Sequence, residues 1–326
     1  MKYISLTLLL AAAALAGCET TVDLPEPPHT PRVSLLYTLT TAPQDSSFQE
    51  LYTGRQLYIS NSQRVFDTRE LTGRRDATVE LRNASGSVVE RYRPLSGANS
   101  SGGYQGYYRP VLGFQPQSGQ TYTLRAALPG LETVESTLTM PAPAVVESAT
   151  YVPRTNALGG NANDNRGRLT VVLRDDPAVA NYYLAFAQVL DQQGRPGDNG
   201  SGVYEDFDSD IGASIGRFQL SSPRQQEQYS IYPFADTDVS GQRITLTSDV
   251  RLLGRTCFRG SCSAPAFIEV HIASITAEAY NFYLSRRRYF DSDGNPFAEP
   301  APLASNVRSG YGLLGGAADV TYRIRL

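Results

Sequence analysis

Apolar and polar residues alternate along most of this chain. In residues 79–83 (VELRN), 122–126 (YTLRA), 168–173 (RLTVVL) and 243–247 (RITLT) the apolar side chains recur at every second position. A period of two sends one set of side chains inward and the other into water, as in a half-buried antiparallel strand. Between such runs Gly (28) and Pro (20) punctuate the chain, which also carries 20 Tyr and no Trp. That texture predicts a mainly β protein.

Seven strand candidates fall within residues 32–141: VSLLYTLT, QLYISNSQRVF, ATVELRN, SVVERYRP, YYRPV, TYTLRAALP and ETVESTLTM. Their number and spacing predict an immunoglobulin-like sandwich. Tyr122 follows a turn at Gly119 and shares a face with Leu124 and Ala126. It is either the tyrosine corner of such a sandwich or an ordinary buried tyrosine. Two prolines in Met140-Pro141-Ala142-Pro143 cannot continue a central strand, so a boundary is expected there, with a second β-rich domain over 142–326. That part is interrupted by polar stretches at 159–167 and 191–202. Its one helix candidate is TAEAYNFYLSRRRYF (276–290), with Thr276 as cap, Glu278 in the positive first turn, and Arg286 to Arg288 expected at the negative end.

The pattern is different ahead of the first strand. Lys2, an apolar run over 4–15 and small residues at 16 and 17 read as a signal peptide, residues 1–17. The run is too short for the roughly 20 apolar residues of a membrane span. Leu15-Ala16-Gly17-Cys18 resembles the lipobox of bacterial lipoproteins, in which the cysteine is acylated. Acyl chains contribute about 0.8 kcal/mol per buried methylene, so Cys18 is expected to anchor the chain to a membrane. Residues 18–31, with Pro25, Pro27, Pro28 and Pro31, read as an extended tether.

Charge excludes some partners. With 29 basic and 32 acidic residues and no basic block, the chain lacks the clustered footprint that nucleic acid requires. The sole lysine, Lys2, lies in the leader, which removes Schiff-base and P-loop lysine chemistry from the mature protein. Cys257 and Cys262 in CFRGSC form an even pair in an exported chain and predict a disulfide, with Gly260 easing the turn. A thiolate zinc site would need more ligands than His29 and His271 can add.

Three motifs carry candidate chemistry. GASIG (212–216) has the spacing of a serine nucleophile elbow at Ser214, with Asp249 and His271 in a workable order, but no strand–turn–helix context surrounds it. GYGLLG (310–315) satisfies G-x-G-x-x-G but is followed by a closing strand, so it is expected to be a turn and not a phosphate loop. Asp291, Asp293 and Asn295 resemble half a calcium loop, and EDFDSD (205–210) adds carboxylates, without the full ligand pattern. No catalytic set, metal site or cofactor is assigned.

The chain ends are more specific. CETTVDLPEPPHTPRVSLLYTL near the start, Asn295-Pro296-Phe297 with Glu299-Pro300, and Ser305-Asn306-Val307 with Gly310, Gly312 and Gly315 resemble the Bacteroidetes outer-membrane lipoproteins grouped as domain of unknown function 4249. The resemblance implies a lipid-anchored β protein, often encoded beside TonB-dependent outer-membrane receptors, and no established catalytic residues. It implies an outer-membrane location on either face.

The expected function is thus a non-enzymatic binding or accessory lipoprotein working with a TonB-dependent transporter. The alternatives are a secreted hydrolase and a structural envelope lipoprotein. The candidate binding surface is two aromatic loops carrying Tyr104, Tyr107 and Tyr108 in one and Tyr204 and Phe207 in the other, unless these are solvated connectors.

Overall fold

A computed structural model describes residues 28–42, 55–64, 67, 72–95, 105–154, 165–197, 202–205, 220–221, 231–237, 239–292 and 301–326. The chain forms two units. One is residues 1–30 with 63–69, and the other, residues 31–62 with 70–326, holds every described strand and the helix. The protein is mainly β, with large sheets and, among the described residues, a single helix near the C-terminus. Among the described residues no helix is long and apolar enough to cross a membrane.

All seven N-terminal strand candidates form strands: β1 (Val33–Thr40), β2 (Leu57–Asn61), β3 (Thr78–Asn83), β4 (Val88–Pro94), β5 (Tyr107–Pro110), β6 (Thr121–Ala127) and β7 (Val134–Thr139). They pair in the order β1-β2-β5-β4-β3-β6-β7. Split between β5 and β4, this is the strand order of the two leaves of an immunoglobulin-like sandwich, here joined by the β4–β5 ladder. Leu35, Leu57, Ile59, Leu81 and Leu124, each at most 1% exposed, meet in one core. Each such side chain stabilises the fold by about 1.5–3 kcal/mol relative to exposure. Tyr122 is a tyrosine corner: its hydroxyl accepts the backbone N–H of Gln117 at 3.1 Å, five residues upstream at the entry to β6.

The chain leaves this core at Met140–Pro143 and enters β8 (Val145–Pro153), followed by β9 (Asn165–Arg174), β10 (Tyr182–Leu190), β11 (Val203–Glu205), β12 (Phe234–Ala235) and β13 (Arg243–Leu252). Then come β14 (Thr256–Phe258), β15 (Ser261–Ser263), β16 (Phe267–Ile275), helix α1 (Ala277–Ser292) and β17 (Tyr311–Arg325). The sheet β11-β13-β9-β8 faces strands β10 and β16 across a second core built on Leu169, Val171, Ile244, Ile268, Val270 and Ile272.

Strand β17 belongs to both halves. Its first part runs parallel to β1, from Tyr311 opposite Ser34 to Ala317 opposite Thr40. Its second part runs antiparallel to β16, from Ala317 opposite Ile275 to Arg325 opposite Phe267. The result is one eleven-stranded sheet that crosses the expected 141/142 boundary.

Two expectations are corrected here. GYGLLG is a turn only at its first residue: Gly310 lies in the bend after Ser309, and the next five residues open β17, the longest described strand. Its glycines are needed because β1 and α1 lie against them: a Cβ on Gly312 would sit 1.8 Å from the Leu35 carbonyl oxygen, and one on Gly315 would sit 3.0 Å from the Ala279 Cβ. The helix is capped by Thr276, whose hydroxyl accepts the Ala279 N–H at 3.4 Å, but it runs on to Ser292. Arg286 to Arg288 therefore fall short of the last turn, which carries no basic residue. Helix α1 covers the outer face of β10, β16 and β17 through Ala279, Phe282 and Tyr283.

Cys257 and Cys262 lie opposite each other in the β14–β15 hairpin and are bonded. Arg259 and Gly260 between them both have positive φ (48° and 80°), the requirement of a tight two-residue hairpin turn. Thiol labelling of the denatured, unreduced protein should find neither cysteine free. The paired Cys257→Ser and Cys262→Ser variant should lose only about 2 kcal/mol, because the closed loop is short. A variant that fails to fold would show that the hairpin depends on the bond.

Candidate functional site

A cavity of about 270 Å³ opens at the end of the first sandwich remote from the start of β1. Antiparallel register brings the end of β1, the residues before β2, the middle of β4 and the end of β5 to that one place. Tyr37, Tyr92, Tyr108, Leu57 and Phe114 form its apolar wall, Arg55 and Glu90 are its buried charged groups, and Arg109 is an exposed one. The rings of Tyr37 and Tyr92 meet edge to face at 5.6 Å, and the Tyr92 hydroxyl donates to that of Tyr37 at 3.2 Å. Burial pushes the Tyr37 phenol up to about 12, so it stays a neutral donor.

Glu90 is 1% exposed because it shares the inward register of Tyr92 on β4. Its carboxylate accepts four backbone N–H groups, from Arg91 (2.8 Å), Val111 (2.9 Å), Leu112 (2.6 Å) and Phe114 (2.8 Å). Burial alone would raise its pKa; the four N–H donors outweigh that and hold it below the ordinary carboxylate range. This carboxylate shapes the loop that carries Phe114 into the cavity wall.

Arg55, 4% exposed, lies in register with Leu57 and Ile59. It reaches across to β17, where its guanidinium binds both carboxylate oxygens of Asp319, the Nη2 contact at 2.6 Å, and also touches the Thr40 hydroxyl. Burial raises the Asp319 pKa, and the guanidinium beside it brings the net shift below the usual range.

On the same outer face of the sheet as Asp319 lies a second polar group. Glu269 accepts from Gln188 and from His271 at 2.9 Å each, and from Arg323 at 2.5 Å. Burial opposes ionisation of Glu269, but these donors hold its pKa at about 2. A depressed folded-state pKa contributes stability that is complete above the unfolded value and lost as pH falls toward the folded one. Stability should therefore fall between about pH 4.5 and pH 2, by on the order of 2 kcal/mol from this group after screening through half-exposed Arg323. Acid titration of Glu269→Gln should lack that portion; an unchanged profile would refute it.

The residues singled out from sequence are dispersed. Tyr108 is 2% exposed, with its hydroxyl accepting the Ala77 N–H at 2.9 Å, so it is a core side chain and not a surface one. Tyr107 points to the opposite face and packs on Tyr58 at 5.0 Å. Tyr204 is on β11 of the other sheet, with the Arg251 guanidinium over its ring. Tyr104, Phe207, Cys18, Ser214, Asp293 and Asn295 lie outside the described residues. Asp291 stands in the last turn of α1, not in a loop. Asp249 pairs with Arg154 and Arg168 on the outer face of the four-stranded sheet, whereas His271 pairs with Glu269 on the outer face of the other. The second core separates them.

Sequence reasoning does not single out Arg55, Glu90 or Asp319. The available signal for the first two is parity: each shares the inward alternation of its apolar neighbours, where a charge is out of place without a partner.

The family model described as "Domain of unknown function (DUF4249)" matches residues 45–323. The chain belongs to this family. No curated protein matches it. The stretch that carries the family resemblance has a structural role. Asn306 closes a two-way amide contact with Leu314 (2.8 and 2.9 Å), the Ser305 hydroxyl accepts the Gly312 N–H at 3.0 Å, and Arg308 bridges to Glu135 of β7. These contacts close the edge of the first sandwich against the start of β17. Asn295-Pro296-Phe297 and Glu299-Pro300 lie outside the described residues.

Proposed function

We propose that this family member is a non-enzymatic binding lipoprotein of the outer membrane, anchored through Cys18 and working with a TonB-dependent transporter. Its ligand is held in the cavity walled by Tyr37, Tyr92 and Phe114. The observation that supports the reading is the cavity itself: an apolar, aromatic space with a few convergent polar groups, set among paired strands. The lipobox and the proline-bearing tether support the anchor.

Two measurements test this. Cys18→Ala should move the protein from the membrane fraction to the soluble periplasm, and an unchanged distribution would defeat the anchor. The native lipoprotein, extracted in mild detergent, should bring a transporter with it. Recovery alone, with turnover of a substrate by the isolated chain, would replace the accessory role with an enzymatic one.

A further inference from the structure

Both charged groups buried in the cavity wall are already engaged. The Glu90 carboxylate is surrounded by four N–H donors, and the Arg55 guanidinium is held in a fork by Asp319. An ion seated deep in the cavity would exchange its hydration for a buried wall whose two charges are both already engaged, an exchange that costs several kcal/mol in low dielectric. Arg109, the third charged residue of the lining, is exposed and so screened by water.

One polar atom is differently placed. The Tyr37 hydroxyl oxygen accepts from Tyr92, and among the described residues its own hydrogen has no acceptor. It sits within the aromatic wall beside Leu39 and Leu57. A dry engineered cavity of about 150 Å³ holds benzene, so this larger space has room for a substituted ring.

We propose that the cavity selects uncharged, ring-sized molecules bearing one hydrogen-bond acceptor, and that Tyr37 is the donor that recognises the acceptor. This rests on reading the cavity as the ligand site. An acceptor placed at Tyr37 completes a chain running Tyr92 to Tyr37 to ligand, in which each hydroxyl donates once. A carboxylate analogue could accept the same bond but would bring a charge that the buried wall around Tyr37 does not neutralise. An ammonium analogue would meet a donor where it needs an acceptor. A plain hydrocarbon ring would fill the space and leave the hydroxyl unsatisfied.

The test is ligand-observed NMR on the mature lipidated chain in detergent, against micelles alone, with benzamide, benzoate, benzylammonium and toluene. Benzamide should bind about fivefold more tightly than toluene, the factor supplied by one net hydrogen bond. Benzoate and benzylammonium should bind at least about tenfold more weakly than benzamide, as expected for an unpaired charge. Tyr37→Phe should bring benzamide down to the level of toluene and leave toluene unchanged. Tyr92→Phe, which keeps the Tyr37 donor, should preserve the benzamide preference.

Benzoate or benzylammonium binding as tightly as benzamide would overturn the selectivity while leaving the cavity as a ligand site. Benzamide preference surviving in Tyr37→Phe would overturn the role of that hydroxyl. Binding of none of the four would overturn the cavity as a ligand site altogether. Should Tyr37→Phe fail to fold, the four-probe ranking on the unaltered chain and the Tyr92→Phe result still decide the matter.

Discussion

Asp319→Asn should destabilise the protein by about 3–5 kcal/mol, read as a lower urea midpoint at constant slope. The reason is the fate of Arg55. Its side chain is fully buried and the Asp319 side chain is 5% exposed, so removing the carboxylate charge takes from the guanidinium, in low dielectric, the counter-charge it grips through both Nη atoms. Asparagine keeps the shape and one acceptor but cannot neutralise the charge. The companion variant Arg55→Met with Asp319→Leu should recover most of the loss, since replacing both ions by apolar groups removes the desolvation penalty with the attraction. A single variant within about 1 kcal/mol of the parent would show that water reaches the pair.

Gly312→Ala should be of similar size, about 3 kcal/mol or more. Gly312 has φ of 113°, a region that costs a side-chain-bearing residue about 1–3 kcal/mol. The added carbon would also lie 1.8 Å from the Leu35 carbonyl oxygen, so strands β1 and β17 must part. Hydrogen exchange should show lost protection at the paired amides of β1, and thermal unfolding should move to lower temperature. Gly86→Ala is the control: φ is 82° but nothing lies within 4 Å, so only the conformational penalty applies. Equal losses in the two variants would show that the approach of β1 to β17 does not matter.

The local elements are legible because their causes are local. VSLLYTLT alternates from its first residue, and β1 begins and ends where that run does. Thr276 followed by a helical apolar stripe marks the start of α1, while its end is harder to read because the run of arginines imitates a last turn. CFRGSC carries its own hairpin and bond, since five residues of separation with a glycine leave few other geometries. Tyr122 can be suspected as a corner from the turn before it, but only the Gln117 contact separates it from an ordinary core tyrosine.

The candidate site is much less legible. Aromatic-rich loops draw attention to Tyr107 and Tyr108, yet alternate direction on β5 puts one outside and one in the core. Glu90 and Arg55 look like ordinary surface charges, and both prove to be buried.

The β class, each of the seven N-terminal strands, the helix, the disulfide and the family can all be read from residue order, because periodicity, turn residues and short loops act within a few positions of the residues that carry them. Three features emerge only from tertiary pairing: one strand serves both halves, Arg55 finds its partner 264 residues away in Asp319, and Gly312 is a point of close approach and not a turn. Those depend on which strand lies beside β1, and a parallel neighbour joined through almost the whole length of the chain leaves no periodic trace in either segment. The pairing is chosen by fit between two distant surfaces, through bare backbone at the glycines and charge neutralisation at Arg55, neither of which exists until the chain has closed on itself.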